Sequence, residues 1–137
     1  ADLCERTGAN IRDVSRGIGM DKRIGDKFLQ PGPGYGGSCF PKDTLALRQM
    51  ARNAGCTSKL MEATIESNDE RKVTMAKRIL AALGDAKDKT VAILGLTFKP
   101  GTDDMRESPS LAIIPELQKA GVNIRAYDPQ GMKEAAK

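Results

Sequence analysis

A chain of 137 residues has room for one ordinary domain, or for a small domain with part of a second. Its composition is globular (39% apolar, 29% charged, net charge +4), a mild cationic excess that suits a small anionic ligand but not a nucleic-acid surface, since no Trp, two Tyr and three Phe offer little to stack on bases. The absence of His excludes a Ser-His-Asp or Cys-His pair within the chain and makes a metal site unexpected, while three cysteines, at positions 4, 39 and 56, argue for reduced thiols in a cytoplasmic protein rather than a disulfide framework.

Ala1 to Thr7 reads as the tail of a helix closed by a left-handed Gly8. Ile11, Val14 and Ile18 then recur at helical spacing behind Asn10, a suitable N-cap, and Gly19 ends that helix. Between Lys27 and Lys42 glycines stand at 32, 34, 36 and 37, so the segment is expected to be a loop with unusual dihedrals or a close backbone approach. Asp43 or Thr44 caps a helix running to about Asn53 and stopped at Gly55. A longer helix spans Lys59 to Leu83 and ends at Gly84; its polar centre, Ser67 to Lys72, reads as a solvated face or as the place of a kink. After a short charged linker, Thr90 to Leu96 is a continuous apolar run of the buried parallel-strand kind. A loop to about Ser108, a helix over Ser110 to Lys119 ended by Gly121, and an alternating strand from Val122 to Pro129 complete a β-α-β unit.

The expected fold is therefore α/β overall, an all-helical piece over 1–85 followed by an incomplete Rossmann-like β-α-β domain over 86–137. No stretch approaches the ~20 apolar residues of a membrane helix, and nothing at the start resembles a signal peptide. The chain opens on Ala1, and Met132 to Lys137 keep a helical pattern to the last residue, so both ends read as cut and the chain as a piece of a longer one.

Chemistry concentrates at Cys39. It follows Gly36-Gly37-Ser38 and precedes a helix start, where the positive end of the helix dipole and Lys42 make a setting that suits a nucleophilic sulfur. The glycines let a ligand lie against bare backbone N–H groups, and Asp43 is near enough in sequence to handle a water or a proton. The competing reading is a small structural cysteine in an ordinary loop. Lys99 and Arg106 stand beyond the carboxyl end of the first strand, where open α/β sheets gather ligands, although two solvated loop charges are the plain alternative.

The segment Phe28 to Asp43 resembles the active-site stretch of the UDP-glucose/GDP-mannose dehydrogenase family. Ala1 to Glu5, Asp21 to Gly25 and the block from Val91 to Ser110 resemble the same family in colinear order. The resemblance implies an NAD-dependent enzyme built as a homodimer through its central helical domain, with a UDP-binding domain after it. It implies that Cys39 is the nucleophile and Asp43 its partner in handling water. It further implies that the backbone of Phe28, Leu29 and Gln30, with Tyr35 and Gly36, lines the sugar-nucleotide pocket. Arg23 matches the arginine that reaches a neighbouring subunit's substrate, Lys99 a lysine that contacts the nucleotide sugar, and Arg106 an arginine that approaches NAD.

Within the family the wording Gly34 to Asp43 is most similar to members acting on UDP-glucose; relatives acting on UDP-N-acetylmannosamine tend to carry His where this chain has Ser38. No GxGxxG is present and Gly95 stands alone after its strand, so the dinucleotide fingerprint is missing and the chain by itself is expected to be inactive. The alternatives are a related GDP-mannose or UDP-N-acetylmannosamine dehydrogenase, a non-catalytic nucleotide-binding or dimerisation module, and a thiol switch, which would need Cys56 within reach of Cys39.

Overall fold

The structure is a computed structural model that describes all 137 residues, Ala1 to Lys137. By backbone packing the chain divides into two compact units, Ala1–Gly32 and Pro33–Lys137.

The first unit holds α1 (Asp2–Thr7) and α2 (Ile11–Gly19). Gly8 closes α1 at φ 73°, its N–H donating to the Cys4 carbonyl, as the sequence predicts. The Asn10 side chain accepts the Arg12 N–H at 2.9 Å and so caps α2. Gly19 is the last residue of that helix, as expected, and Met20 is its cap. A Cβ at Gly19 would stand 3.0 Å from the Asp26 backbone, a tight contact that the neighbouring chain would have to relieve.

The second unit holds α3 (Phe40–Asn53), α4 (Lys59–Leu83), β1 (Thr90–Leu94), α5 (Ser110–Lys119), β2 (Asn123–Tyr127) and α6 (Met132–Ala135). Residues 1–85 are helix and loop throughout, and the only sheet is the parallel pair β1–β2, in register from Thr90↔Asn123 to Leu94↔Tyr127. One face of the pair, with Val91, Ile93 and Ile124, packs with Ile79, Leu80 and Leu83 of α4 and Ile113 of α5 around the buried Ala76, Leu117 and Val122. Leu117 is wholly buried, so truncating it to Ala costs about 2–5 kcal/mol.

Three expectations are corrected here. The helix carrying Asp43 begins at Phe40, with Pro41 in its first turn and Cys39 as its N-cap, because proline's fixed φ and missing N–H suit a helix start. The first strand stops at Leu94 and is half-exposed instead of buried on both faces: Leu94 and Tyr127 are 82% and 61% exposed on the uncovered side. Finally, α4 runs as one helix of 25 residues through its polar centre. No helix is long and apolar enough to cross a membrane.

Candidate active site

In the second unit the glycine loop runs from Pro33 to Ser38 and delivers Cys39 to the N-terminus of α3. The loop is held from two sides. On one, the Gly37 N–H donates to the Arg106 carbonyl at 2.8 Å. A Cβ at Gly36 would land on the Glu107 carbonyl, and one at Gly37 would stand 2.6 Å from the Phe98 ring. Gly37 also has φ 86°, so both the close approach and the backbone demand glycine. On the other side, Asn68 of α4 accepts the Tyr35 N–H at 2.7 Å and donates to the Tyr35 carbonyl at 3.3 Å. The Tyr35 ring meets Phe40 edge-on at 4.7 Å between centroids.

Cys39 is exposed and unbridged, its Sγ 3.7 Å from the Ser38 hydroxyl. Beside it lies an open groove of about 710 Å³ lined by Gly37, Ser38, Pro41, Lys42, Leu45, Arg106 and Glu107. Lys42 and Arg106 put two cations on this rim beside the Glu107 carboxylate, and Lys42 pairs with Asp43 at 3.3 Å. Asp104 clasps Arg106 through Nε at 2.9 Å and Nη2 at 2.8 Å. That carboxylate is the main reason the guanidinium is held above its ordinary range, and Cys39 contributes to it as well. Hydrogen bonding to Arg106 in turn depresses the Asp104 carboxyl. Glu107, next in the chain, sits at φ 54°, a left-handed conformation that is strained for a non-glycine residue.

A second cavity, of about 660 Å³, opens at the carboxyl ends of β1 and β2 and is lined by Lys99 together with Gly95, Thr97, Phe98 and Asp128. Lys99 extends over the Phe98 ring at 5.2 Å. Asp128 accepts the N–H groups of Leu96, Thr97, Gln130 and Gly131, and these bonds hold its carboxyl far below the ordinary carboxylate value. No group of three or more His, Cys, Asp or Glu side chains is arranged to hold a metal ion.

The structure thus puts Arg106 on the groove that the residues flanking Cys39 line, and Lys99 with Phe98 on the other cavity. Arg23, Phe28, Leu29 and Gln30 belong to the first unit. There Asp21 grips Arg23 through Nε at 3.0 Å and Nη2 at 2.6 Å, which raises the guanidinium pKa. Phe28 is fully exposed at φ 63°. Sequence reasoning missed Asn68 and Lys72. It assigned the polar centre of α4 to solvent, but both are buried, in line with Ile65 and Ala76. Their spacing of three and four residues along one stripe was the available signal, because a polar residue on a buried stripe needs a partner.

Two family models match the chain: the central domain of the UDP-glucose/GDP-mannose dehydrogenase family over residues 1–70, and that family's UDP binding domain over residues 92–137. The UDP-glucose 6-dehydrogenase of Rhizobium meliloti (strain 1021) is 56% identical across 100% of this chain and 32% of its own length. The UDP-glucose 6-dehydrogenase TuaD of Bacillus subtilis (strain 168) is 50% identical across 99% of this chain and 30% of its own. Among solved structures, a UDP-glucose dehydrogenase from Pyrobaculum islandicum superposes with a TM-score of 0.92 at 35% identity, over 97% of this chain and 31% of that one. A GDP-mannose dehydrogenase from Pseudomonas aeruginosa superposes at 0.70 with 30% identity, over 98% of this chain and 30% of that one. The chain spans about a third of the length of the curated relatives it matches.

Proposed function

Since the chain belongs to the UDP-glucose/GDP-mannose dehydrogenase family, we propose that it forms part of an NAD-dependent UDP-glucose 6-dehydrogenase whose nucleophile is Cys39. The observation that carries this reading is the placement of an exposed cysteine at a helix N-terminus, on a glycine loop bonded to the Arg106 segment and beside an open groove that Lys42 and Arg106 line.

Oxidising a primary alcohol to an acid removes two hydrides from one carbon, and the aldehyde between them would escape or hydrate. A thiolate at Cys39 adds to the aldehyde carbon and gives a thiohemiacetal bound through sulfur. Loss of the hydride from that carbon leaves a thioester, and water then displaces the sulfur to release the carboxylate. Asp43, exposed and in the first turn of α3, is assigned the proton of that water. The backbone at Tyr35 and Gly36 and Lys99 are assigned contacts to the sugar nucleotide, as are Phe28, Leu29 and Gln30, and Arg23 is assigned to a neighbouring subunit's substrate.

NAD supplies the hydride acceptor in this reading, with Arg106 as its contact. The residues present do not otherwise fit a dinucleotide. The turn after β1 would be its cradle, but the Leu96 and Thr97 N–H groups are taken by the Asp128 carboxylate. No step is therefore routed through the cofactor by these residues, and residues 1–137 alone are proposed to be inactive.

A homodimer through the helical domain, assigned to 1–85 with the UDP-binding domain over 86–137, belongs to the same proposal. Exposed Met50 and Leu60 on α3 and α4, at 66% and 86%, support it. A cytoplasmic setting is supported by three free thiols. The test offers the full-length enzyme NAD with UDP-glucose, GDP-mannose or UDP-N-acetylmannosamine in turn. Oxidation of UDP-glucose alone, with two NADH per sugar, is expected; preference for either other sugar, or no NADH at all, would refute the assignment.

A further inference from the structure

Asn68 and Lys72 leave α4 one turn apart on its buried face, at 8% and 6% exposure. Burying an amide and an ammonium is unfavourable unless both find partners, so their partners show what they hold. Asn68 takes both backbone groups of Tyr35, as a neighbouring strand would. Lys72 Nζ lies 3.5 Å from Glu107 Oε2. The loop is close enough that a Cβ at Gly34 would stand 3.0 Å from Asn68 Oδ1 and 3.1 Å from Lys72 Cγ. The loop also bonds the 106–107 segment through Gly37 N–H and the Arg106 carbonyl. The contacts therefore form a closed ring: α4 to Tyr35, Gly37 to Arg106, and Glu107 back to Lys72.

We propose that Asn68 and Lys72 are positioning residues, which clamp the glycine loop between α4 and the 106–107 segment and thereby fix Cys39 for its covalent step. Neither acts on substrate in this account; each acts through the loop. The strained φ of Glu107 fits the same device, because the ion pair to Lys72 holds that residue where Gly37 meets its neighbour's carbonyl. The inference rests on the reading of Cys39 as nucleophile, and its test separates the two.

The full-length enzyme is compared with its Asn68→Ala and Lys72→Met variants, with Leu117→Ala as a core variant that removes none of the ring's hydrogen bonds or its ion pair. Amide exchange at Tyr35 and Gly37 is followed along with steady-state kinetics. In Asn68→Ala, exchange is expected to quicken about tenfold at both amides, although Asn68 bonds only Tyr35. Lys72→Met is expected to quicken Gly37 in the same way. In both, kcat falls about ten- to a hundredfold with little change in KM, the mark of a misplaced nucleophile rather than a lost binding contact. Leu117→Ala lowers the melting temperature but keeps kcat. Unchanged protection of Gly37 in Asn68→Ala, or full kcat with Tyr35 freely exchanging, would overturn the clamp. Exchange does not depend on turnover, so an active Cys39→Ser enzyme would remove the nucleophile reading while the amide results still decided whether the ring holds the loop.

Discussion

Asp128, the residue after β2, accepts the Leu96 N–H at 2.7 Å and so ties the end of one parallel strand to the turn leaving the other. Hydrogen bonds from Leu96, Gly131, Gln130 and Thr97 hold its carboxyl well below the ordinary value of 3.8. A group whose pKa is depressed by folding contributes stability that is present above the unfolded value and lost as pH falls toward the folded one. Asp128→Asn is therefore expected to melt at a lower temperature than the native protein at pH 7. The gap should narrow as pH falls below about 5, because the unfolded carboxyl then takes up a proton that the folded one, its pKa held far lower, does not. A gap constant across that range would show that the charge is not what the turn requires.

Gly37 must be glycine on two counts, its φ of 86° and the Phe98 ring 2.6 Å from where a Cβ would be. Gly37→Ala is expected to destabilise by about 1–3 kcal/mol through overpacking and to slow the enzyme by displacing Cys39. Denaturant midpoints and kcat measure the two effects. A variant stable and active as the native would mean that the loop has slack the geometry does not show.

Ser108 and Ser110 both donate to the Leu96 carbonyl, each at 2.6 Å, inside the core beside β1. Ser108→Ala leaves the second donor in place and is expected to cost about 0.5–1.5 kcal/mol. The double alanine variant strands a buried carbonyl, so its cost should exceed the sum of the two single ones. Urea unfolding of the four proteins closes this cycle; simple additivity would contradict the shared acceptor.

Residues 1–137 alone, supplied with NAD and UDP-glucose, are expected to give no NADH, because Asp128 occupies the N–H groups a dinucleotide phosphate would use. Absorbance at the NADH band is the readout, and detectable turnover would contradict it.

Much of this was legible in the sequence because local chemistry decided it. Asn10 caps α2, Gly8 closes α1, and the limits of α4 and α5 follow apolar periodicity ended by Gly84 and Gly121. The parallel pairing of β1 with β2 followed from an apolar run, a helix and an alternating run in that order. What escaped depends on long-range partners. The polar centre of α4 looked solvated because Asn68 finds its bonds 33 residues away, at Tyr35. The start of α3 was set four residues late because Asp43 is the better cap by type, whereas Pro41 favours the earlier turn. Cys39 was legible from its glycines and its family resemblance, but the bond from Gly37 to Arg106 was not, since no local pattern joins those segments.

The central claim is that the sulfur of Cys39 carries the sugar between its two oxidations. The most direct measurement counts NADH per UDP-glucose consumed by the full-length enzyme and by its Cys39→Ser variant. Two NADH per sugar in the native enzyme, with turnover lost in the variant, is the predicted result. Two NADH per sugar at the native rate from Cys39→Ser would contradict it.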